Sequence, residues 1–160
     1  MILENGEFMS DDMFLDFAAG FIPFSRKKPI PFEEIEKKES KMIQKIAKEG
    51  NCISVGRGAD FILKDDKKAF HVFIHADMEH RVKRVQRHDQ VSGEEERIRR
   101  ELMVKDRSRK AYYHYFTNRE WGNIGNYHMT LDTSLFTKTQ CVQLIIEALH
   151  KLEEKENAEN

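Results

Sequence analysis

The apolar positions of the chain recur with two periods. From Phe32 to Glu49 a helical spacing places Phe32, Ile35, Met42, Ile43, Ile46 and Ala47 on one side. Glu33, Glu34, Lys37, Lys38 and Lys41 are left to water, and Gly50 follows as a stop. The pattern then changes. Cys52-Ile53-Ser54-Val55 is short, apolar and rich in β-branched residues, which predicts a buried strand cut off at Gly56-Arg57-Gly58. Ala69 to Ile74 predicts a second buried strand, parallel to the first because a helix or turn must separate them. Asp77 to Asp89 predicts a helix with Val82 and Val85 inward and Arg81, Arg84 and Arg87 sharing another face. Ser92-Gly93-Glu94-Glu95 has the form of a capping box. It opens a helix with Ile98, Leu102 and Met103 inward, ending in the aromatic cluster Tyr112, Tyr113, Tyr115 and Phe116.

A third strand is expected at Leu131-Asp132-Thr133-Ser134, reached through residues 126–130. The last helix runs from Lys138 to about Glu154, burying Val142, Ile145, Ile146, Leu149 and Leu152, with a tail that frays. Upstream, Ser10-Asp11-Asp12 caps a helix that stops at Gly20. Phe21 to Pro31, with three prolines and the basic triplet Arg26-Lys27-Lys28, reads as a loop. Arg26 is read as an exposed loop charge before a phosphate contact. The elements together predict an α/β fold: a parallel sheet of at least three strands flanked by helices, in one domain over residues 1–160. The two charged helices near 77–120 have the look of a mobile lid. The aromatic cluster is read as the lid's own hydrophobic anchor and not as a base-stacking platform.

Composition narrows the class. Hydrophobic residues make up 39% and charged residues 34%, and no run approaches the ~18 apolar residues of a membrane helix. The N-terminus has no basic segment followed by an apolar one, so no secretory signal is read there. The two cysteines, Cys52 in a strand and Cys141 in a helix, make no disulfide framework, and a cytoplasmic setting is expected. No cysteines and histidines gather at zinc spacing, so no metal site is expected from protein ligands alone. Net charge is −1, but Arg81 to Arg119 carries 12 basic against 6 acidic residues, which leaves the remainder at −7. A local basic stretch in a near-neutral chain suits a phosphate-bearing ligand, or else a solvated helix laced with opposite charges.

The chemistry centres on Arg57. A strand ended by glycines places a side chain at the carboxyl rim of a parallel sheet, where open α/β folds bind ligands. Glycine on either side lets a ligand approach the backbone. The guanidinium offers phosphate two parallel charge-assisted bonds. The plainer alternative is a surface arginine in a tight turn. His71 and His75 are read as structural and not as ligands.

The order of these pieces resembles the cytidylate kinase-like family, a branch of the P-loop nucleoside monophosphate kinases. The resemblance covers roughly Glu33 to Leu152. It rests on VGRGADFIL from Val55, HVFIHA from His71 with RVKRV from Arg81, DRSRKAYYHYFT from Asp106 followed by Trp121-Gly122 and Asn126-Tyr127, and LDTS from Leu131. It implies a three-layer P-loop kinase-like architecture and transfer of the ATP γ-phosphate to a nucleoside monophosphate such as CMP, with Mg²⁺. By resemblance, Arg57, with Asp60, holds the acceptor nucleotide. Arg84, with Arg81 nearby, meets the donor ATP. Asp106, Arg107 and Arg109 form the second lid arm, with Arg84, Arg107 and Arg109 acting on the transferred group. The related cytidylate kinases have an aspartate directly after the acceptor arginine, where this chain has Gly58, so recognition of base or sugar departs from the pattern.

A larger departure is the phosphate cradle. No G-x-x-x-x-G-K-S/T run occurs in the 160 residues. By resemblance, the family's first strand lies between the strands placed at 52–55 and 69–74. Its loss leaves two rows of backbone groups to satisfy. Three outcomes are open: a fragment, a sheet that closes without that strand, or another chain filling the gap, and exposed strand edges favour a homo-oligomer. The alternative function is a catalytically inactive nucleotide-binding or interaction protein. Nucleic-acid binding through the basic stretch is a weaker third reading, which predicts affinity falling steeply with salt.

Overall fold

The computed structural model describes residues 32–88 and 95–159. The expected helix at Ser10–Gly20, the loop with Arg26, and the capping box at Ser92 to Glu94 lie outside the described residues. The elements in chain order are helix α1 (Phe32–Glu49), the short helix α2 (Ala59–Ile62), strand β1 (Val72–His75), helix α3 (Met78–His88), helix α4 (Glu95–Thr117), a 3₁₀ turn (Ile124–Asn126), strand β2 (Met129–Asp132) and helix α5 (Lys138–Glu159). Among the described residues the fold is helix-rich α/β with a small parallel sheet of two strands. The chain divides into two compact units. Of the described residues, one comprises 32–69 and 103–123, and the other 70–88, 95–102 and 124–159.

In the first unit, α1 ends where its sequence says it should. Gly50 has φ 80° and donates its N–H to the Ala47 carbonyl at 3.1 Å, the left-handed exit that glycine makes cheap. Ile43 is buried, and Glu34, Lys37, Lys38 and Lys41 are exposed as the spacing predicts, whereas Met42 is exposed too. The expected strand at 52–55 does not form. Those residues carry no ladder among the described residues, Ile53 is 78% and Val55 75% exposed, and Cys52 is exposed. A strand requires a neighbouring backbone, and β-branched composition reports only the preference for one. Ile43, Ile46, Cys52, Ile53, Ser54 and Leu63 instead line a shallow apolar groove. The C-terminal half of α4 belongs to this unit and ends at Asn118, whose φ of 53° and N–H to the His114 carbonyl (2.8 Å) make a left-handed cap.

In the second unit, β1 and β2 pair in parallel, from Val72 opposite Met129 to His75 opposite Asp132. Both strands lie later or earlier by a few residues than the apolar runs suggest. The ladder is extended by the N–H groups of His128 and Met129, both donating to the His71 carbonyl, and by that of Thr133 donating to His75. Ring contacts cover the strands: His128 stacks on His71 at 4.9 Å and on Phe70 at 5.6 Å, and Phe73 packs on Tyr127 at 4.9 Å. The His71 N–H donates to Nδ1 of His128 at 3.0 Å, so that ring nitrogen serves as an acceptor beside the strands. Val82 of α3 and Ile98 of α4 are each 1% exposed and form the centre of this unit's core. Met103, expected inward on α4, is exposed.

α5 departs from expectation in its buried face and its length. Cys141, Leu144, Ile145, Ala148 and Leu149, at spacings of three and four, are buried or half-buried. Val142, Ile146 and Leu152 are exposed, and the helix continues through the expected frayed tail to Glu159. Apolar residues occupy both sides of α5, so periodicity alone offers two overlapping stripes. No described helix is long and apolar enough to cross a membrane.

Candidate functional site

The turn after residue 55 is built from three consecutive left-handed residues: Gly56 at φ 72°, Arg57 at 58° and Gly58 at 64°. Two of them are glycine, for which this conformation carries no Cβ penalty. Arg57 is not, and a side chain there costs about 1–2 kcal/mol. Gly58 then opens α2, with the N–H groups of Phe61 and Ile62 both donating to its carbonyl at 2.9 Å. Close packing fixes glycine at this position as well. A Cβ on Gly58 would stand 2.7 Å from Cδ1 and Cε1 of Phe116. That ring meets Phe61 edge-on at 5.9 Å and stacks on Tyr112 at 6.0 Å. Arg119 and Lys64 flank Phe61, the guanidinium at 5.2 Å and the ammonium at 4.5 Å from the ring centre.

The polar groups around the turn are joined to helices on either side. Arg57 Nη1 lies 3.5 Å from Glu39 Oε1 of α1, with the two side chains 24% and 30% exposed. Tyr112 of α4 has its phenol pushed up to about 12, by burial first, then by the charge of Glu39, with Glu36 and a hydrogen bond to Glu39 adding and Arg57 opposing. The neighbouring Tyr113 is buried and donates its hydroxyl to Asp60 Oδ2 at 2.5 Å. Thr117, also buried, returns its hydroxyl to the Tyr113 carbonyl at 2.6 Å.

The anticipated site residues divide between the units. Arg57, Asp60, Asp106, Arg107 and Arg109 belong to the first, Arg81 and Arg84 to the second. Within the first, Arg57 pairs with Glu39, Asp60 with Tyr113, and Arg109 with Asp106 one turn away at 3.2 Å. Arg107 is exposed. Arg81 is half-buried and Arg84 exposed on α3. Periodicity gives α1 a packing role and does not single out Glu39. A signal was present, since Glu36 and Glu39 stand on the stripe that Ile35, Ile43 and Ile46 define. A carboxylate on an inward stripe calls for an internal partner.

At the carboxyl end of the two strands, polar groups tie the second unit together. The Asp77 N–H donates to Ser134 Oγ at 2.8 Å, and His80 N–H donates to Asp77 Oδ1 at 2.7 Å, which caps α3. The Ser134 N–H donates to Asp132 Oδ1 at 2.8 Å. Asp77 is held below its ordinary value mainly by the His80 amide, and Asp132 mainly by the Ser134 amide. Arg99 of α4 pairs with Glu79 of α3 at 2.5 Å. Among the described residues no three His, Cys, Asp or Glu side chains gather to hold a metal ion.

The sequence pattern of the cytidylate kinase-like family matches residues 7–135. The chain belongs to the cytidylate kinase-like family. The span takes in the Arg57 turn, the region of the expected lid and β2. No curated protein matches the chain. Among solved structures, an uncharacterized protein from Eubacterium ventriosum superimposes with a TM-score of 0.67 at 22% identity, over 88% of this chain and 82% of its own. That likeness is one of fold. Membership of the cytidylate kinase-like family assigns the chain a nucleotide-related, kinase-like function.

Proposed function

We propose that this cytidylate kinase-like protein holds a nucleoside monophosphate, CMP or a close relative, through Arg57 and transfers the ATP γ-phosphoryl group to it. The γ-phosphorus would leave the ADP oxygen and bond to a phosphate oxygen of the acceptor. The observation that carries the reading is the left-handed Arg57 between two left-handed glycines. Strain of this kind persists at ligand clamps, and here a third glycine would relieve it. The feature a glycine lacks is a planar fork matched to phosphate. Asp60, fixed by Tyr113, supports the acceptor side of the turn. Arg107 and Arg109, with Asp106 orienting Arg109, are assigned to the group in flight, and Arg81 and Arg84 to ATP. Phosphoryl transfer needs little beyond such positioning and charge neutralisation. The described residues do not supply a metal cage. Mg²⁺ is commonly held by one or two carboxylates plus the nucleotide's own phosphates, and no step is assigned to it. In this reading the two strands belong to a three-layer kinase-like sheet, the region near 77–120 is a lid, and the protein works in the cytoplasm.

A second reading, nucleotide binding without transfer, is favoured by the lack of a G-x-x-x-x-G-K-S/T run in the 160 residues. Calorimetric titration with CMP and with MgATP, beside an assay of ADP release, separates the two. CMP-dependent ADP release, a CMP affinity about tenfold or more weaker in Arg57→Ala, and slower turnover in Arg84→Ala and Arg109→Ala support transfer. CMP binding without ATP binding supports the second reading. Binding of neither nucleotide sinks both.

A further inference from the structure

We infer that the outer edge of β1 pairs antiparallel with β1 of a second copy of this chain, joining two sheets of two strands into one of four about a two-fold axis at Phe73. The inference is independent of the proposed phosphoryl transfer. It starts from the backbone groups that β2 leaves unused. Successive residues of a strand turn their N–H and C=O groups to alternate edges. The carbonyls of His71 and His75 accept from the N–H groups of Met129 at 3.2 Å and Thr133 at 2.8 Å, so His71, Phe73 and His75 face β2. Val72 and Ile74 therefore turn their N–H and C=O groups the other way, where no described backbone group bonds to them. The outer edge of β2 is closed off differently. The Asp132 carbonyl accepts from Leu135 and Phe136 at 3.2 and 3.3 Å, and its side chain brings a charge. Between His71 and His75, β1 has neither a charge nor a proline, and Ile74 is 54% exposed. An open, uncharged edge with an exposed isoleucine is a template for another strand.

The sequence of the edge says which strand fits. His71-Val72-Phe73-Ile74-His75 reads almost the same in both directions, so the strand is complementary to itself about Phe73. With the axis there, Val72 stands opposite Ile74 of the second copy, and Ile74 opposite its Val72. These are the pairs whose N–H and C=O groups face outward, so four main-chain hydrogen bonds form. Phe73 meets its own counterpart as the closer, non-hydrogen-bonded pair, with Cα atoms about 4.5 Å apart. One face gains two apolar cross-strand pairs and the other an aromatic pair. A slip of one residue would set outward groups against groups already used by β2. A slip of two leaves one bonded pair within the strands. Pairing of two four-residue strands buries less than the ~1,200 Å² of a stable interface, so the dimer is a reversible one.

The test is sedimentation velocity of the full chain from about 1 μM to about 1 mM, where a dimer that dissociates on dilution is expected. Ile74→Pro removes an outward N–H and none from the ladder with β2. It is expected to weaken the dimer about tenfold or more, because two main-chain bonds are lost per dimer. Val72→Lys and Ile74→Glu are each expected to weaken it, and an equimolar mixture to dimerise better than either alone, since the new ammonium and carboxylate then stand opposite each other. Phe73→Cys is expected to form a disulfide-linked dimer on mild oxidation, in a background where the exposed Cys52 is serine. Val72→Cys is not, because its counterpart lies two positions along the partner strand, beyond disulfide reach. The cysteine variants keep the proposal testable should the proline variant fail to fold. Hydrogen exchange at the Val72 and Ile74 amides is expected to slow as concentration rises. A monomer over the whole range overturns the proposal, and amides protected at every concentration would then show an edge covered from within the chain. A dimer that Ile74→Pro leaves intact lies elsewhere on the surface and overturns it too. Equal cross-linking of Phe73→Cys and Val72→Cys overturns the register.

Discussion

A single methyl group placed on either side of Arg57 distinguishes backbone strain from packing. Gly56 and Gly58 have nearly the same φ, 72° and 64°, so alanine at either pays the left-handed penalty of about 1–2 kcal/mol. Their surroundings differ. Nothing lies within 4 Å of a Cβ on Gly56, whereas a Cβ on Gly58 meets two ring carbons of Phe116 at 2.7 Å. The ring has little room to yield, being stacked on Tyr112 and set edge-on against Phe61. Forcing a methyl into such a place costs about a further 1–3 kcal/mol. Gly56→Ala is therefore expected to lose about 1–2 kcal/mol and Gly58→Ala about 2–5 kcal/mol. Urea unfolding followed by Trp121 fluorescence reads both, with unchanged slopes showing that only stability has moved. Adding Gly58→Ala to a Phe116→Ala background should cost no more than Gly56→Ala, since the obstacle is gone. Equal losses for the two glycine variants in the wild-type background would falsify the claim that Phe116 presses on the turn.

Three further outcomes are expected. Arg57→Gly relieves about 1–2 kcal/mol of strain and gives up an ion pair of about 0–1 kcal/mol, so urea unfolding should show stability kept or raised while CMP binding is lost. A destabilised Arg57→Gly would show that the turn depends on the guanidinium. Because the Tyr112 phenol is raised from the usual 10 to about 12, its neutral form supports the fold fully below pH 10, and that support is withdrawn as pH rises through 12. Tyr112→Phe should flatten this alkaline limb in thermal melts taken across it, and an unchanged limb would remove the assignment. Asp77 and Asp132 are depressed in the folded chain, so their contribution is present above their ordinary value near 3.8 and fades as pH falls through the lowered values. Ser134→Ala removes a side-chain hydrogen bond from both Asp77 and Asp132 while the His80 amide still serves Asp77 and the Ser134 amide Asp132, so it should lessen the acid sensitivity without abolishing it. Acid melts identical to wild type would refute that division.

What was legible in the sequence was local. The limits of α1 follow from one stripe and one glycine, and the structure places them at Phe32 and Glu49 as the spacing predicts. The start of α5 at Lys138 and the inward Val82 and Ile98 were equally plain. The failures share a cause: each depended on what lies across from the residue. Cys52 to Val55 has the composition of a buried strand, but composition does not supply the partner backbone. On α5, Cys141 and Val142 are both apolar, and only the neighbouring elements decide which turns inward. Glu39 was hidden among the charges of α1 because its partner, Arg57, comes from a different element. The turn that carries Arg57 is legible because two glycines mark the chain around it, a signal that needs no tertiary knowledge.

The aromatic end of α4 shows how the two kinds of information combine. From sequence, Tyr112, Tyr113 and Phe116 read as the anchor of a lid. Their contacts lead to the Arg57 turn instead: Tyr112 to Glu39, Tyr113 to Asp60, and Phe116 to Gly58 and Phe61. Thr117 closes the last turn of the helix beneath them, and Asn118 ends it. A strained arginine needs surroundings that over-determine its backbone, and the last turns of α4 provide them with two hydroxyl–carboxylate contacts and one ring. Asp106 and Arg109 stand one to two turns upstream on the same rigid helix. Displacing α4 would therefore carry the proposed transfer arginine and the support of the proposed acceptor arginine together. In a kinase that is a useful coupling, because an acceptor seated on Arg57 and a cation poised over the transferring group are needed at the same moment.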